Sequence, residues 1–112
     1  MHWVVKYPCT FAELDRRIED SGLEARGDNV IYLKKGLNIV LWSDMSDAYS
    51  AAVLYLKKIG AIDWRSATVL EYMMDGRVMQ LPVAVRPPAN GYKSEHWIPV
   101  VLKQAEHEKD IG

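Results

Sequence analysis

From position 29 to 42 the chain carries apolar side chains on both sides of an extended run, where a strand resting on a single core would alternate apolar with polar. The segment reads as an antiparallel hairpin, Asn29–Trp42, turning at Lys35-Gly36. That register puts Val30, Tyr32, Ile39 and Leu41 on one face and Ile31, Leu33, Val40 and Trp42 on the other. Both faces then need cover, and a one-residue slip would only exchange them.

Helical spacing marks the segments on either side. Thr10-Phe11-Ala12-Glu13 has the form of a capping box, with Cys9 and Leu14 placed as a hydrophobic staple. Phe11, Leu14 and Ile18 follow on one stripe, while Glu13, Asp15, Arg16, Arg17, Glu19 and Asp20 fill the wet side. Gly22 followed by apolar Leu23 predicts a Schellman ending. A second helix opens at Ser43 or Ser46 and ends at Gly60, with Asp44 and Asp47 suited to its positive N-terminal end. Beyond its first turn only Lys57 and Lys58 are charged, which predicts cover on more than one side of this helix.

The remaining elements read as strands. His2–Tyr7 is a short strand ended by Pro8. Asp75-Gly76 fits a type I′ turn and predicts a hairpin pairing Tyr72 with Met79, Leu70 with Leu81 and Thr68 with Val83. Pro82 assigns that hairpin an edge position or a bulge. Pro87 to Gly91 is a loop. His96–Lys103 reads as a last strand or as the start of a helix, and residues 104–112 as a polar, frayed tail. Neither a repeat nor a linker divides residues 1–112, so the chain is expected to be one α+β domain. The order of elements resembles the ferredoxin-like split βαβ layout with an additional C-terminal hairpin or strand. That layout places both helices on one face of an antiparallel sheet and leaves the other face bare. It licenses no activity, since many functions share it.

Bulk composition narrows the field. The 112 residues are 49% hydrophobic, enough for a core, and Lys plus Arg (14) nearly balance Asp plus Glu (15). No net field therefore draws the chain to nucleic acid, and Lys34 and Lys35 beside Tyr32 are too few for a stacking platform. One cysteine excludes an internal disulfide framework. The N-terminal residues lack a signal-peptide pattern, no apolar run reaches the roughly 20 residues of a membrane span, and the chain reads as cytoplasmic.

Candidate chemistry is sparse. Cys9 stands beside a helix N-terminus, where a thiol is activated, but the staple role already accounts for it. His2, His96 and His107 lack metal-ligand spacing, so neither metal nor cofactor is expected. Extending the Asp75-Gly76 register sets Arg65 opposite Arg86, a repelling pair that is neutralised by Asp63 or another carboxylate, is avoided by a register slip or by splaying into water, or holds an anion in a site that Lys93 would join. Tyr32, Trp42, Tyr72 and Trp97 are the candidate lining of an aromatic ligand pocket. The leading expectation is a small interaction module that homodimerises through the bare sheet face, with Ile31, Leu33, Val40 and Trp42 at its centre. The alternatives are a small-molecule binder or enzyme using the aromatic pocket, and an inhibitor or immunity-type protein with one macromolecular partner.

Overall fold

The computed structural model describes residues 8–105. The His2–Tyr7 strand, His107 and the tail beyond residue 105 lie outside the described residues. Six strands and three helices follow one another: β1 (Cys9–Thr10), α1 (Phe11–Asp20), β2 (Arg26–Lys34), β3 (Ile39–Met45), α2 (Asp47–Lys58), β4 (Ile62–Ser66), α3 (Val69–Met74), β5 (His96–Trp97) and β6 (Val100–Gln104). The class is α+β.

All three helices use the same punctuation. Thr10, Ser46 and Thr68 are their N-caps, each side-chain hydroxyl accepting from the backbone N–H three residues on. Each helix closes in a Schellman motif. Gly22 donates to Glu19 with Leu23 donating to Ile18, Gly60 to Lys57 with Ala61 to Leu56, and Gly76 to Met73 with Arg77 to Tyr72. The three glycines sit at φ +93°, +76° and +101°, where a side chain would be strained. The Gly22 ending is the one the sequence predicts.

Asp75-Gly76 corrects the reading of a hairpin. Thr68 and Glu71 form a complete capping box, so α3 occupies Val69–Met74 and the glycine is its C′ residue. Asp-Gly serves both turns, because a type I′ hairpin and a Schellman ending alike need positive φ at the glycine. Residues 77–84 leave α3 without a regular strand; Val83 alone makes an isolated parallel bridge to Trp97.

The strands divide into two three-stranded sheets, ordered β1-β6-β4 and β2-β3-β5, instead of one sheet with a bare face. In the first, β6 pairs antiparallel with β1 (Cys9↔Leu102) and with β4 (Trp64↔Leu102). Its Val100, Val101 and Leu102 are all buried, as a central strand covered on both faces requires. His96–Lys103 is thus extended, and Pro99 falls between β5 and β6. In the second sheet the β2–β3 hairpin forms where expected, but with a turn of 3₁₀ helix at Lys35–Leu37 and repeated register shifts. The two-residue turn is overridden, and Ile31 pairs with Trp42. On its other side β3 runs parallel to β5 (Val40↔Trp97).

Both faces of β3 are covered from within the chain. Ile39, Val40, Leu41 and Trp42 are buried in succession. Trp42 stacks on Phe11 of α1 at 5.9 Å and meets Tyr72 of α3 and Trp97 of β5 at 5.2 and 6.2 Å. Tyr49 and Val53 of α2 join the same core, and Val78, Met79 and Leu81 of the irregular segment pack against it. That segment, expected as a hairpin strand, supplies the second layer of cover.

Candidate functional site

The face predicted as an interface is largely internal. Ile31, Val40 and Trp42 are buried in the single chain, and of the four candidates only Leu33, 41% exposed, remains accessible. The physical reason is the second cover: a bare sheet face exists only if residues 77–84 extend a sheet, and they fold over the core instead. The aromatic set is also relocated. Trp42, Tyr72 and Trp97 do converge, Tyr72 meeting Trp97 edge-on at 5.0 Å, but all three are fully buried and fill the core. The Tyr72 hydroxyl donates to Val100 O and accepts from Phe11 N, while the Trp97 indole donates to Leu41 O. Tyr32 lies apart, its hydroxyl donating to Glu95.

Arg65 and Arg86 are not paired by any strand. Arg65 on β4 faces Val101 across the ladder, and Arg86 and Lys93 are in exposed irregular chain. Removing the hairpin removes the register that opposed them. Cys9 is buried among Phe11, Leu14 and Leu102, and burial pushes its thiol up to about 11, away from the reactive thiolate. His96 stacks on Tyr92 at 3.6 Å, its Nδ1 3.0 Å from Ser94 O. Among the described residues no group of three or more His, Cys, Asp or Glu is placed to hold a metal ion, and no helix is long and apolar enough to cross a membrane.

One polar cluster escaped the sequence reading. Asp15, assigned to the wet side of α1, is buried and accepts from the Trp42 indole (3.2 Å), the Tyr49 hydroxyl (2.7 Å) and Arg77 Nη1 (2.7 Å). Arg77 Nη2 meets Asp44 Oδ2 at 2.8 Å, and its guanidinium lies 4.7 Å over the Trp42 ring. Asp44 reaches that position from a left-handed backbone, φ +57°. Desolvation raises the Asp15 pKa against the lowering effect of its donors. Next to the cluster, Asp75 accepts from the Thr10 hydroxyl at 2.7 Å, so the end of α3 is joined to the start of α1. Every one of these groups is spoken for by another. The cluster ties α1, β3 and the chain after α3 together, a structural duty.

Large apolar side chains are exposed on α3, where Leu70, Met73 and Met74 are 61%, 61% and 76% exposed, and on α2. Tyr49 and Val53 bury one face of this helix, and Lys57 meets Asp63 of β4 at 3.6 Å. On the opposite face Leu54, Tyr55 and Ile59 are 49%, 61% and 54% exposed, and Ala48 and Ala51 are exposed between them and the N-cap. Beside the first turns of the helix runs an open groove of about 900 Å³, whose walls include Ile18, Leu23, Ala48, Tyr49 and Ala52. Leu23, just past the Schellman glycine of α1, is itself 67% exposed. The scarcity of charge after the first turn of α2 was the available signal. Among the described residues the cover it predicts exists on one side only. Comparisons with protein-family models, with curated proteins and with solved structures found no match for the chain.

Proposed function

We propose that this protein is a small self-associating interaction module whose working surface is the uncovered face of α2. The exposure of Leu54, Tyr55 and Ile59 on a helix that, among the described residues, is packed only on its other side carries the reading. Singly exposed apolar residues are ordinary, but Ala48, Ala52, Tyr55 and Ile59 recur every three or four positions and so share one stripe of the helix, the pattern of an association surface. Full burial of such a side chain is worth about 1.5–3 kcal/mol, and about half of that remains to be gained by side chains that are half exposed. The sheet-face dimer gives way to this helix-face one because Ile31, Val40 and Trp42 are already hidden. The ligand-pocket reading has less support, since Trp42, Tyr72 and Trp97 pack on one another as core and Tyr32 lies apart from them.

The test is a concentration series in sedimentation velocity or light scattering. The wild-type chain dimerises as concentration rises. A Leu54→Glu/Tyr55→Glu double variant stays monomeric with its melting temperature nearly unchanged, because neither side chain enters the core. A wild-type chain that stays monomeric into the millimolar range removes the proposal.

A further inference from the structure

Resting on that reading, we infer that two copies pair through α2 in antiparallel register, each lodging the C-terminal half of its helix in the groove beside the other's N-terminal half. Three features of this one helix change along its length. Along the stripe beside the groove the side chains are small in the first half (Ala48, Ala52) and bulky in the second (Tyr55, Ile59). The groove of about 900 Å³ flanks only the small half, with Ile18 and Leu23 as its far wall. Charge is carried by Asp47 in the first turn and by Lys58 in the last.

Antiparallel pairing satisfies all three at once. Bulky side chains meet small ones and the groove, Asp47 of one copy approaches Lys58 of the other, and the two helix dipoles oppose. Parallel pairing would put Tyr55 on Tyr55, leave both grooves unfilled and stack like charges. The antiparallel arrangement is also self-complementary about a two-fold axis, as an isologous dimer must be. The 12-residue helix is about 18 Å long, too short for a standard interface of about 800 Å² per partner by itself. Filling two grooves adds contact to that of the helices, and the interface falls among the small, transient ones.

Ala48→Cys and Ile59→Cys chains, oxidised separately and as a mixture, test this register; Cys9 is buried and contributes no background. Antiparallel pairing brings position 48 of one copy to position 59 of the other. The expected result is an intermolecular disulfide formed several-fold more readily in the mixture than in either variant alone. Equal or stronger crosslinking within each variant means parallel pairing and overturns the register while the α2 reading stands. A chain that sediments as a dimer yet crosslinks in no sample overturns both, since its contact lies elsewhere. A monomer that instead retains a host protein, with retention lost in Tyr55→Glu, gives the face to a foreign partner and overturns both as well.

Discussion

Arg77 Nη1 lies 2.7 Å from Asp15 Oδ2 while the same guanidinium covers the Trp42 ring at 4.7 Å. The contact joins a residue past the end of α3 to the middle of α1, across 62 positions of chain. Asp15 is buried, so its carboxylate needs this cation more than a surface carboxylate would. Replacing Arg77 with Ala leaves Asp15 with only the Tyr49 and Trp42 donors and uncovers the indole face. The expected loss is about 1.5–3 kcal/mol, the range for hydrogen bonds to charged groups, read from urea midpoints at unchanged slope. Arg77→Lys recovers less than half of it, because an ammonium cannot reach Asp15 and Asp44 together while stacking on Trp42.

The same carboxylate sets a pH dependence. Desolvation raises the pKa of Asp15 in the folded chain above its ordinary value of 3.8. The folded state therefore holds this proton to higher pH than the unfolded state does, and the contribution to stability falls as pH rises through the folded value. Asp15 thus contributes a negative slope of unfolding free energy against pH, starting near the unfolded pKa and levelling off above the folded one. Asp15→Asn removes that component. Subtracting the variant's profile from the wild-type profile isolates it, and a flat or rising difference over this window contradicts the assignment.

Tyr72 fastens β6 to the start of α1 through two bonds of one hydroxyl, to Val100 O and from Phe11 N. Both backbone groups lie in the core, so Tyr72→Phe leaves a buried donor and a buried acceptor without this partner. The expected cost is about 1–3 kcal/mol with the ring stacking intact. Faster amide exchange at Phe11 than at Leu14 would locate the damage at the junction. A neutral substitution would mean that water replaces the hydroxyl.

The sequence exposes local rules well and competition between rules poorly. Thr10, Ser46 and Gly22 punctuate helices with chemistry that acts within four or five residues: Thr10 caps α1 but Glu13 pairs with Arg17 instead of closing the capping box, Ser46 and not Ser43 caps α2, and Gly22 ends α1 as expected. Asp75-Gly76 is equally local but ambiguous, and Thr68-Val69-Leu70-Glu71, which resolves it, was legible as a capping box all along. Reading β-rich residues 69–73 as a strand hid that signal. Asp15 was misassigned because its burial depends on Arg77 and Tyr49, residues brought to it only by the fold. The double-faced apolar pattern of the hairpin correctly demands two layers of cover. It is silent on whether the second layer comes from the same chain, and residues 78–81 supply it. The α2 face was legible in part, since a helix short of charge needs cover, but which side stays open depends on tertiary packing.

Thr68 and Gly76 distinguish the helix from the hairpin by experiment. Thr68→Ala removes the N-cap of α3 and costs about 1 kcal/mol while Thr68→Ser keeps the cap and most of the stability, whereas at a strand position both lose the β-branch and cost alike. Gly76→Ala places a Cβ 3.8 Å from the nearest atom, Arg16 Nη1, so no steric clash arises. Its cost is conformational, about 1–2 kcal/mol from forcing φ +101° on an L-residue. Gly76→Asn separates the two structures further: asparagine is well tolerated at the first position of a type I′ turn but the second is glycine's, while at a helix C′ it is the next-best residue. Asn at 76 should therefore recover part of the alanine loss, with helical circular dichroism retained. Equal losses for Asn and Ala, together with equal costs for Thr68→Ala and Thr68→Ser, would count against α3.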